Sequence, residues 1–106
     1  MYENQYPHLF SPIKLGGLLL KNRIFAAPTS QPDVNPGTYF KKENVAYYEA
    51  KAKGGAAVVS LGEAVVHSRT GLAHRHKVRL DDPAVVPSLS DAVRAVRQHG
   101  AYPSLE

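Results

Sequence analysis

The chain has 106 residues, of which 43% are hydrophobic and 21% are charged, a composition typical of a globular domain. Its formal net charge of +4 comes from lysines and arginines that occur singly or in pairs, unlike the concentrated basic surfaces of nucleic-acid readers. The absence of cysteine excludes disulfides and cysteine-ligated metal sites within these residues. No apolar run approaches the roughly 18 residues of a membrane span, and the polar start lacks a signal-peptide core. We therefore expect a cytoplasmic protein with no nucleic-acid or membrane partner.

The first predicted elements are a β-hairpin and a short strand. Apolar runs at residues 13–15 and 18–20 flank Gly16 and Gly17, which tolerate the positive φ of a tight hairpin turn. Residues 23–27 lack polar alternation, which is the pattern of a strand buried on both faces. That strand runs into a proline and two hydroxyl residues, and a stretch rich in turn-forming residues follows.

A helix is predicted over residues 40–53, with Thr38 as its N-cap and Gly54 as its C′ residue. Its apolar residues are expected to share one broad face, with most of the charged residues opposite. These apolar residues are Val45, Ala46, Tyr48, Ala50 and Ala52.

A second continuous apolar strand is predicted over residues 55–61, ending at Gly62. A loop rich in histidine and arginine then runs from His67 to about residue 83. At its end, Asp81 and Asp82 are expected to form a turn and cap the element that follows.

A second helix is predicted to begin with Ser88 as its N-cap and to end at Gly100, with residues 101–105 as a third strand. Its apolar face consists of Ala92, Val93, Ala95 and Val96. The order is therefore hairpin, β, α, β, α, β, without a linker that would divide the chain. Strands that alternate with single helices predict an α/β fold with a parallel sheet.

Two segments carry a family resemblance: Leu9-Phe10-Ser11-Pro12-Ile13-Lys14-Leu15-Gly16 and Lys21-Asn22-Arg23-Ile24-Phe25-Ala26-Ala27-Pro28-Thr29-Ser30. Together they resemble the opening of the NADH:flavin oxidoreductases, the Old Yellow Enzyme family, and the 2,4-dienoyl-CoA reductase-like branch looks most similar. These enzymes are FMN-binding (β/α)8 TIM barrels, which need about 250 residues. The resemblance therefore implies that residues 1–106 are the N-terminal part of one such barrel domain, a hairpin plus its first βαβαβ portion.

Ligands of such barrels bind at the C-terminal ends of the strands, which here converge on one edge of the sheet. The resemblance implies a set of FMN-binding residues at these ends: Ala27, Pro28, Thr29, Ser30, Gly62 and Glu106. At the second end, Gly62 keeps a β-carbon away from the flavin ring, with Ala64 as the second choice. At the first end, Ser30 resembles the residue that donates to the flavin C4 carbonyl and N5 region, where a donor stabilises the charge of reduction.

Each of these residues also has an ordinary structural interpretation. The hydroxyls of Thr29 and Ser30 can satisfy turn amides, and Gly62 can simply end a strand. Glu106 departs from the glutamine usual at its position, because a carboxylate accepts from flavin N3–H but repels the O2 edge unless it is protonated. A terminal Leu-Glu pair can also be a cloning scar.

The histidine-rich loop offers a competing site. His67, His74 and His76 suggest metal binding, but no carboxylate or cysteine completes a ligand set, so we predict no metal. A solvated or substrate-facing loop is favoured, in which the basic residues meet an anionic substrate group. These basic residues are Arg69, Arg75 and Lys77.

The resemblance implies an FMN-dependent NAD(P)H oxidoreductase that reduces the activated C=C bond of an enone or enoyl thioester by hydride transfer from flavin N5. The proton donor and the phosphate-binding residues belong to later strands, so no catalytic residue is expected here, and these residues alone should be inactive.

Branch members often add a 4Fe-4S cluster and FAD downstream. The partners expected are the small-molecule substrate and the remainder of the barrel, and a homo-oligomer is left open. The alternative is a non-catalytic βαβαβ module that functions only by association with a partner chain.

Overall fold

The computed structural model describes residues 2–29, 39–71 and 77–106. The described elements follow the predicted order, with four short additions. In chain order they are α1 (Tyr2–Gln5), β1 (Ile13–Leu15), β2 (Leu18–Leu20), β3 (Phe25–Ala26), α2 (Lys42–Lys53), β4 (Val58–Leu61), β5 (Ala64–Val65), β6 (Val78–Arg79), a 3₁₀ turn (Pro83–Val85), α3 (Val86–Arg97) and β7 (Tyr102–Leu105). Within these ranges, no helix is long and apolar enough to cross a membrane.

The N-terminal hairpin has the predicted boundaries. Strands β1 and β2 pair antiparallel, with Leu15 opposite Leu18. Of the two turn glycines, Gly16 adopts the positive φ, at +58°, which a residue with a β-carbon rarely takes. The two-residue turn therefore fixes the register that brings Leu20, the buried end of the hairpin, next to the sheet.

The central sheet is parallel, and its strands lie in the order β3-β4-β7. Phe25 pairs with Val58, and Ser60 pairs with Ser104, so all three strands run in the same direction. Helix α2 connects β3 to β4, and the segment containing α3 connects β4 to β7. The predicted βαβαβ arrangement is therefore confirmed.

The core lies between the two long helices and one face of the sheet. Tyr48 of α2, Val59 and Leu61 of β4, and Ala92 and Val96 of α3 are its most buried side chains. Because neighbouring strand residues point to opposite faces, Val58 and Ser60 lie on the other face of β4 and are only partly buried.

The prediction that the first strand is buried on both faces is wrong for the described residues. Phe25 is 53% exposed, because helices cover only one face of the sheet. The strand is also shorter than residues 23–27. Its open face is the one that a closed barrel would enclose.

Helix α2 begins two residues later than predicted. Its N-cap is Lys41, whose backbone N–H donates to Oδ1 of Asn44 at 2.8 Å, and the predicted cap Thr38 lies outside the described residues. At the other end, Gly54 is a right-handed C-cap, and the following Gly55 has the positive φ of +115°. The residue with left-handed geometry is thus one position after the predicted one.

The buried face of α2 is narrower than predicted. Asn44, Tyr48 and Ala52 are buried at a spacing of four, whereas Ala46 and Ala50 are exposed. Among residues 2–29, 39–71 and 77–106, helix α3 and one sheet face pack against α2, so this row is fully buried and Val45 beside it is partly buried.

Helix α3 begins before its predicted cap. Asp82 caps the preceding 3₁₀ turn by accepting from the Ala84 N–H at 3.0 Å, which confirms the capping expected of the aspartate pair. Ser88 lies within the first turn of α3, where its Oγ donates to the Val85 carbonyl and accepts from the Phe40 N–H. The Ser88 N-cap prediction is therefore wrong, because Pro87 fits the first helical turn and lets the helix start earlier.

The family-like sequence at residues 21–23 anchors the start of β3. Buried Asn22 donates to the Gly55 carbonyl at 2.7 Å and accepts from the Ile24 N–H at 2.9 Å. Lys21 Nζ donates to the His99 carbonyl, and Arg23 Nε donates to Ser11 Oγ. These residues precede the strand, so they stabilise the end of the sheet opposite the candidate site.

Candidate functional site

Three strand ends define one edge of the sheet. Ala27 follows β3, Gly62 follows β4 and Glu106 follows β7, and parallel pairing places all three C-terminal ends on the same side. The second and third ends are in direct contact, because Glu106 N–H donates to the Leu61 carbonyl at 3.0 Å and its own carbonyl accepts from Ala64 N–H at 2.8 Å. The structure therefore brings Gly62 and Glu106 together, with the first end at the far side of β4.

The first end is open to solvent. Ala27, Pro28 and Thr29 are exposed, and Thr29 Oγ1 donates to the Ala27 carbonyl at 3.3 Å. This hydroxyl thus makes a local turn contact, but to a carbonyl and not to the turn amides of the structural interpretation. Ser30 lies outside the described residues.

The second end needs a glycine for a reason visible in the structure. Gly62 has a φ of +149°, and a β-carbon there would lie 3.0 Å from the Glu106 carbonyl oxygen. The nearest group is therefore the third strand end. Because glycine has no β-carbon, the backbones of the two strand ends can approach each other closely at this position.

Tyr48 of α2 holds this second end from behind. Its ring is fully buried, its hydroxyl donates to the Gly62 carbonyl at 3.1 Å, and the hydroxyl oxygen accepts from the Gly62 N–H at 3.2 Å. Burial raises the pKa of Tyr48, so the phenol stays protonated and able to donate. The sequence placed Tyr48 on the apolar face of the helix and missed this polar role. A buried tyrosine hydroxyl normally requires a partner, and that was the available signal.

A cavity of about 370 Å³ adjoins the third strand end. Its lining includes Glu106 and an ion pair between Lys77 and Glu63. The Lys77 side chain is only 9% exposed, and its positive charge is paired with the Glu63 carboxylate. Three basic residues were predicted to meet an anionic substrate. Of these, Lys77 forms an ion pair with Glu63 and Arg69 is exposed. Arg75 lies outside the described residues.

The loop after β5 is held by an aspartate. Asp81 accepts from the Ser68 hydroxyl and from the Ser68 N–H, the latter at 2.8 Å. These bonds, with a smaller effect of Arg79, lower the pKa of Asp81 from 3.8 to about 2. The aspartate predicted to form a turn therefore fixes the loop to the start of the segment that leads into α3.

The metal interpretation of the loop gains no support from the described residues, which contain no group of three or more potential metal ligands. His67 Nδ1 lies 2.8 Å from Thr70 Oγ1, within the same turn. His74 and His76 are outside the described residues. Short strands β5 and β6, which pair in parallel, were not predicted, because two-residue strands show no periodicity.

A pair of serines, one on β4 and one on β7, lies on the open face of the sheet just before the ends of these strands. Ser60 and Ser104 are paired across β4 and β7, and their hydroxyl oxygens lie 2.6 Å apart. They stand two residues before Gly62 and Glu106, so they share the face on which these strand ends lie.

Comparison with known proteins identifies the family. The profile of the NADH:flavin oxidoreductase / NADH oxidase family matches residues 8–106. The chain belongs to this family. The match covers the hairpin and all three strand ends, so it covers every candidate site residue.

The relatives differ in length, since this chain covers between 15% and 25% of each. The NADH oxidase of Thermoanaerobacter brockii is 29% identical over 96 residues, which are 91% of this chain and 15% of that enzyme. The structure of a 2-naphthoyl-CoA reductase bound to 2-naphthoyl-CoA superposes with a TM-score of 0.89 at 26% identity, covering 100% of this chain and 16% of the reductase. An Old Yellow Enzyme from Pichia sp. AKU4542 superposes with a TM-score of 0.83 over 92% of this chain and 25% of that chain. At 22% identity this last match shows the fold alone.

The chain thus spans about a sixth to a quarter of these relatives. Its fold matches the N-terminal portion of the TIM barrels of this family, as the resemblance of residues 9–30 implied.

The strand ends fit a flat cofactor such as FMN. Ala27 is exposed and small, whereas Gly62 is buried behind Glu106, so the first and third strand ends are the ones open to a planar ring. Thr29 adds an exposed hydroxyl at one side, and Glu106 adds an exposed carboxylate at the other. The Thr29 oxygen and the Glu106 carboxylate can each accept a hydrogen bond from flavin N3–H, whereas the charged carboxylate repels the neighbouring O2 edge.

Proposed function

We propose that this chain is the N-terminal part of an FMN-dependent NAD(P)H oxidoreductase that reduces the activated C=C bond of an enone or enoyl thioester. The observation that carries the proposal is the family match across residues 8–106, which spans all three converging strand ends. When bound, FMN supplies hydride transfer through its N5 position. The residues of this chain bind and orient the cofactor.

Each strand end has a distinct part in this proposal. Ala27, Pro28 and Thr29 form one wall of the flavin site, and Ser30 extends that wall on sequence grounds. Gly62 lets the end of β4 pack against Glu106 at the second side of the ring, and the carboxylate of Glu106 accepts a hydrogen bond from the N3–H of the pyrimidine edge. The proton donor and the phosphate-binding groups lie on other strands of the barrel, in line with the family resemblance.

The relatives that match support a substrate class and a set of cofactors. The 2-naphthoyl-CoA reductase complex contains an aromatic thioester, which supports a conjugated thioester as the substrate class. The NADH oxidase supports NADH as the reductant, with NADPH as the alternative. The chain covers a smaller share of these two proteins than of the Old Yellow Enzyme, so they are longer. Their length is consistent with a downstream 4Fe-4S cluster and FAD module in the cytoplasmic enzyme.

The second candidate is a non-catalytic module that acts only in association with a partner chain. Its supporting observation is the uncovered sheet face, on which Phe25 is 53% exposed. Such a face needs cover from the rest of a barrel or from another polypeptide. The length of the natural polypeptide separates the two candidates, because a barrel needs about 250 residues.

The decisive experiment uses the full-length natural protein. We expect the purified protein to be yellow, to release FMN on denaturation and to lose its flavin absorbance on anaerobic titration with NADH. Reoxidation by an enoyl thioester, but not by its saturated analogue, would establish C=C reduction. Failure to bind FMN even after reconstitution would overturn the proposal. A flavin that NADH reduces but that no enone or enoyl thioester reoxidises would leave only the broader oxidoreductase class.

A further inference from the structure

The hydroxyl of Tyr48 makes two hydrogen bonds to a single residue. It donates to the Gly62 carbonyl at 3.1 Å and accepts from the Gly62 N–H at 3.2 Å. Both bonds are buried, and Tyr48 is separated from Gly62 by 14 positions in the sequence. One side chain of α2 therefore satisfies both backbone groups of a glycine that lies at the end of β4.

The ring of Tyr48 is held independently of its hydroxyl. Phe40 packs edge-on against it at a centroid distance of 5.4 Å, and Tyr47 does so at 5.5 Å. Removal of the hydroxyl should therefore leave the ring in place, since its packing does not depend on the two hydrogen bonds. The loss would be confined to the backbone of Gly62, whose N–H and C=O would be left buried and unpaired.

The effect reaches the third strand end, because Gly62 and Glu106 meet backbone to backbone. Glu106 is hydrogen-bonded on both sides of Gly62, because its N–H donates to the Leu61 carbonyl at 3.0 Å and its carbonyl accepts from the Ala64 N–H at 2.8 Å. A shift of Gly62 should therefore be transmitted to Glu106. The positions of two of the three strand ends in the candidate site are therefore linked to the hydroxyl of Tyr48.

We propose that Tyr48 is a positioning residue, which fixes Gly62 and through it Glu106 in the arrangement that binds the flavin. This inference rests on the proposed function, because it assigns the cofactor to these strand ends. Tyr48 itself does not touch the cofactor, and it acts from the helix side of the sheet. It sets the flavin's binding and reduction potential through the backbone it holds.

The test compares two tyrosine hydroxyl deletions in the full-length protein. Tyr48→Phe removes the hydroxyl that binds Gly62, and Tyr39→Phe removes a hydroxyl whose partner is Asp82 Oδ2, at 3.5 Å. We expect Tyr48→Phe to raise the Kd for FMN by severalfold to tenfold and to shift the midpoint potential of the bound flavin. Tyr39→Phe should leave both quantities at the wild-type values. A merely structural role would lower the melting temperature without moving the potential of the flavin that remains bound.

Three outcomes separate this inference from the proposed function. A folded Tyr48→Phe variant with wild-type Kd and midpoint potential overturns the role of Tyr48 and leaves the flavin assignment intact. A wild-type protein that binds no flavin overturns both. If Tyr48→Phe does not fold, 3,5-difluorotyrosine at position 48 keeps the ring and hydroxyl but makes the hydroxyl a stronger donor. The midpoint potential should then shift, and an unchanged value would overturn the inference.

Discussion

A β-carbon on Gly62 would lie 3.0 Å from the carbonyl oxygen of Glu106 and 3.2 Å from its β-carbon, so the ends of β4 and β7 touch backbone to backbone. This contact joins two strand ends that belong to different βα units. The two strand ends therefore form one connected edge of the parallel sheet, at the place where we propose that the cofactor binds.

Gly62→Ala should therefore be destabilising and should displace Glu106. The φ of +149° is strained for any residue with a side chain, and the added methyl group meets backbone that cannot rotate away. We expect a loss of about 1–3 kcal/mol of folding free energy. Gly17→Ala is the matched control, because nothing lies within 4 Å of a β-carbon there. Thermal unfolding of both variants of the full-length protein checks the difference, and equal melting temperatures would contradict it.

Asn22→Ala should destabilise the start of β3. Buried Asn22 bonds both the Gly55 carbonyl and the Ile24 N–H, so alanine leaves two backbone groups without their partner. The expected cost is about 1–3 kcal/mol. Gln98→Ala also removes an amide hydrogen bond, to Glu49, but on the surface, and should cost much less. The FMN affinity of folded Asn22→Ala should stay near wild type, since Asn22 lies at the opposite end of the sheet.

Asp81 should make the loop around Ser68 sensitive to acid. Its pKa falls from 3.8 to about 2 in the folded protein, because the Ser68 hydroxyl and N–H bind the charged carboxylate. A lowered folded pKa contributes stability above about pH 4, and this contribution is lost as the pH falls towards 2. The effect on overall stability should be modest, because the carboxylate is open to solvent. NMR titration of the Asp81 carboxyl carbon should show Ser68→Ala returning the pKa towards 3.8, and an unchanged value would contradict the assignment.

Residues 1–106 alone should not hold FMN tightly. The described strand ends offer a hydroxyl, a carboxylate and small residues to the ring, but the family resemblance places the phosphate-binding groups on later strands. Equilibrium dialysis of FMN against the expressed fragment measures this, with the full-length protein as the reference. A yellow 1:1 complex of the fragment would show that the prediction is wrong.

Much of the fold could be predicted because its signals are local. Gly16 and Gly17 between two apolar runs gave the hairpin with its correct boundaries, and the alternation of apolar strands and helices gave the parallel order. The predicted helix boundaries were wrong where contacts between residues far apart in the sequence determine them. Ser88 has the chemistry of an N-cap, but its hydroxyl bonds Val85 and Phe40 inside a helix that had already begun.

The site was predictable only in outline. Convergence of the strand ends follows from topology, so Gly62 and Glu106 could be placed on one edge in advance. The contact between them, and the phenol of Tyr48 behind them, depend on side chains and backbone far apart in sequence. The spacing of residues in the sequence does not predict such contacts. The periodicity of α2 therefore indicated only that Tyr48 belongs to the apolar face of that helix.

Thr29→Val tests whether the first strand end is a turn or a flavin wall. Valine keeps the branched shape and removes only the hydroxyl, which donates to the Ala27 carbonyl at 3.3 Å in an exposed position. If the hydroxyl serves only the turn, stability falls by about 0.5–1 kcal/mol and the flavin is unaffected. If, as we propose, the hydroxyl instead rotates to donate to the bound cofactor, the midpoint potential of the flavin shifts as well, because a donor near the ring stabilises the charge gained on reduction. Ser11→Ala is the control, since that hydroxyl also donates to a local carbonyl, of His8, but at the opposite end of the strands. Equal midpoint potentials in Thr29→Val, Ser11→Ala and wild type would remove the Thr29 hydroxyl from the site.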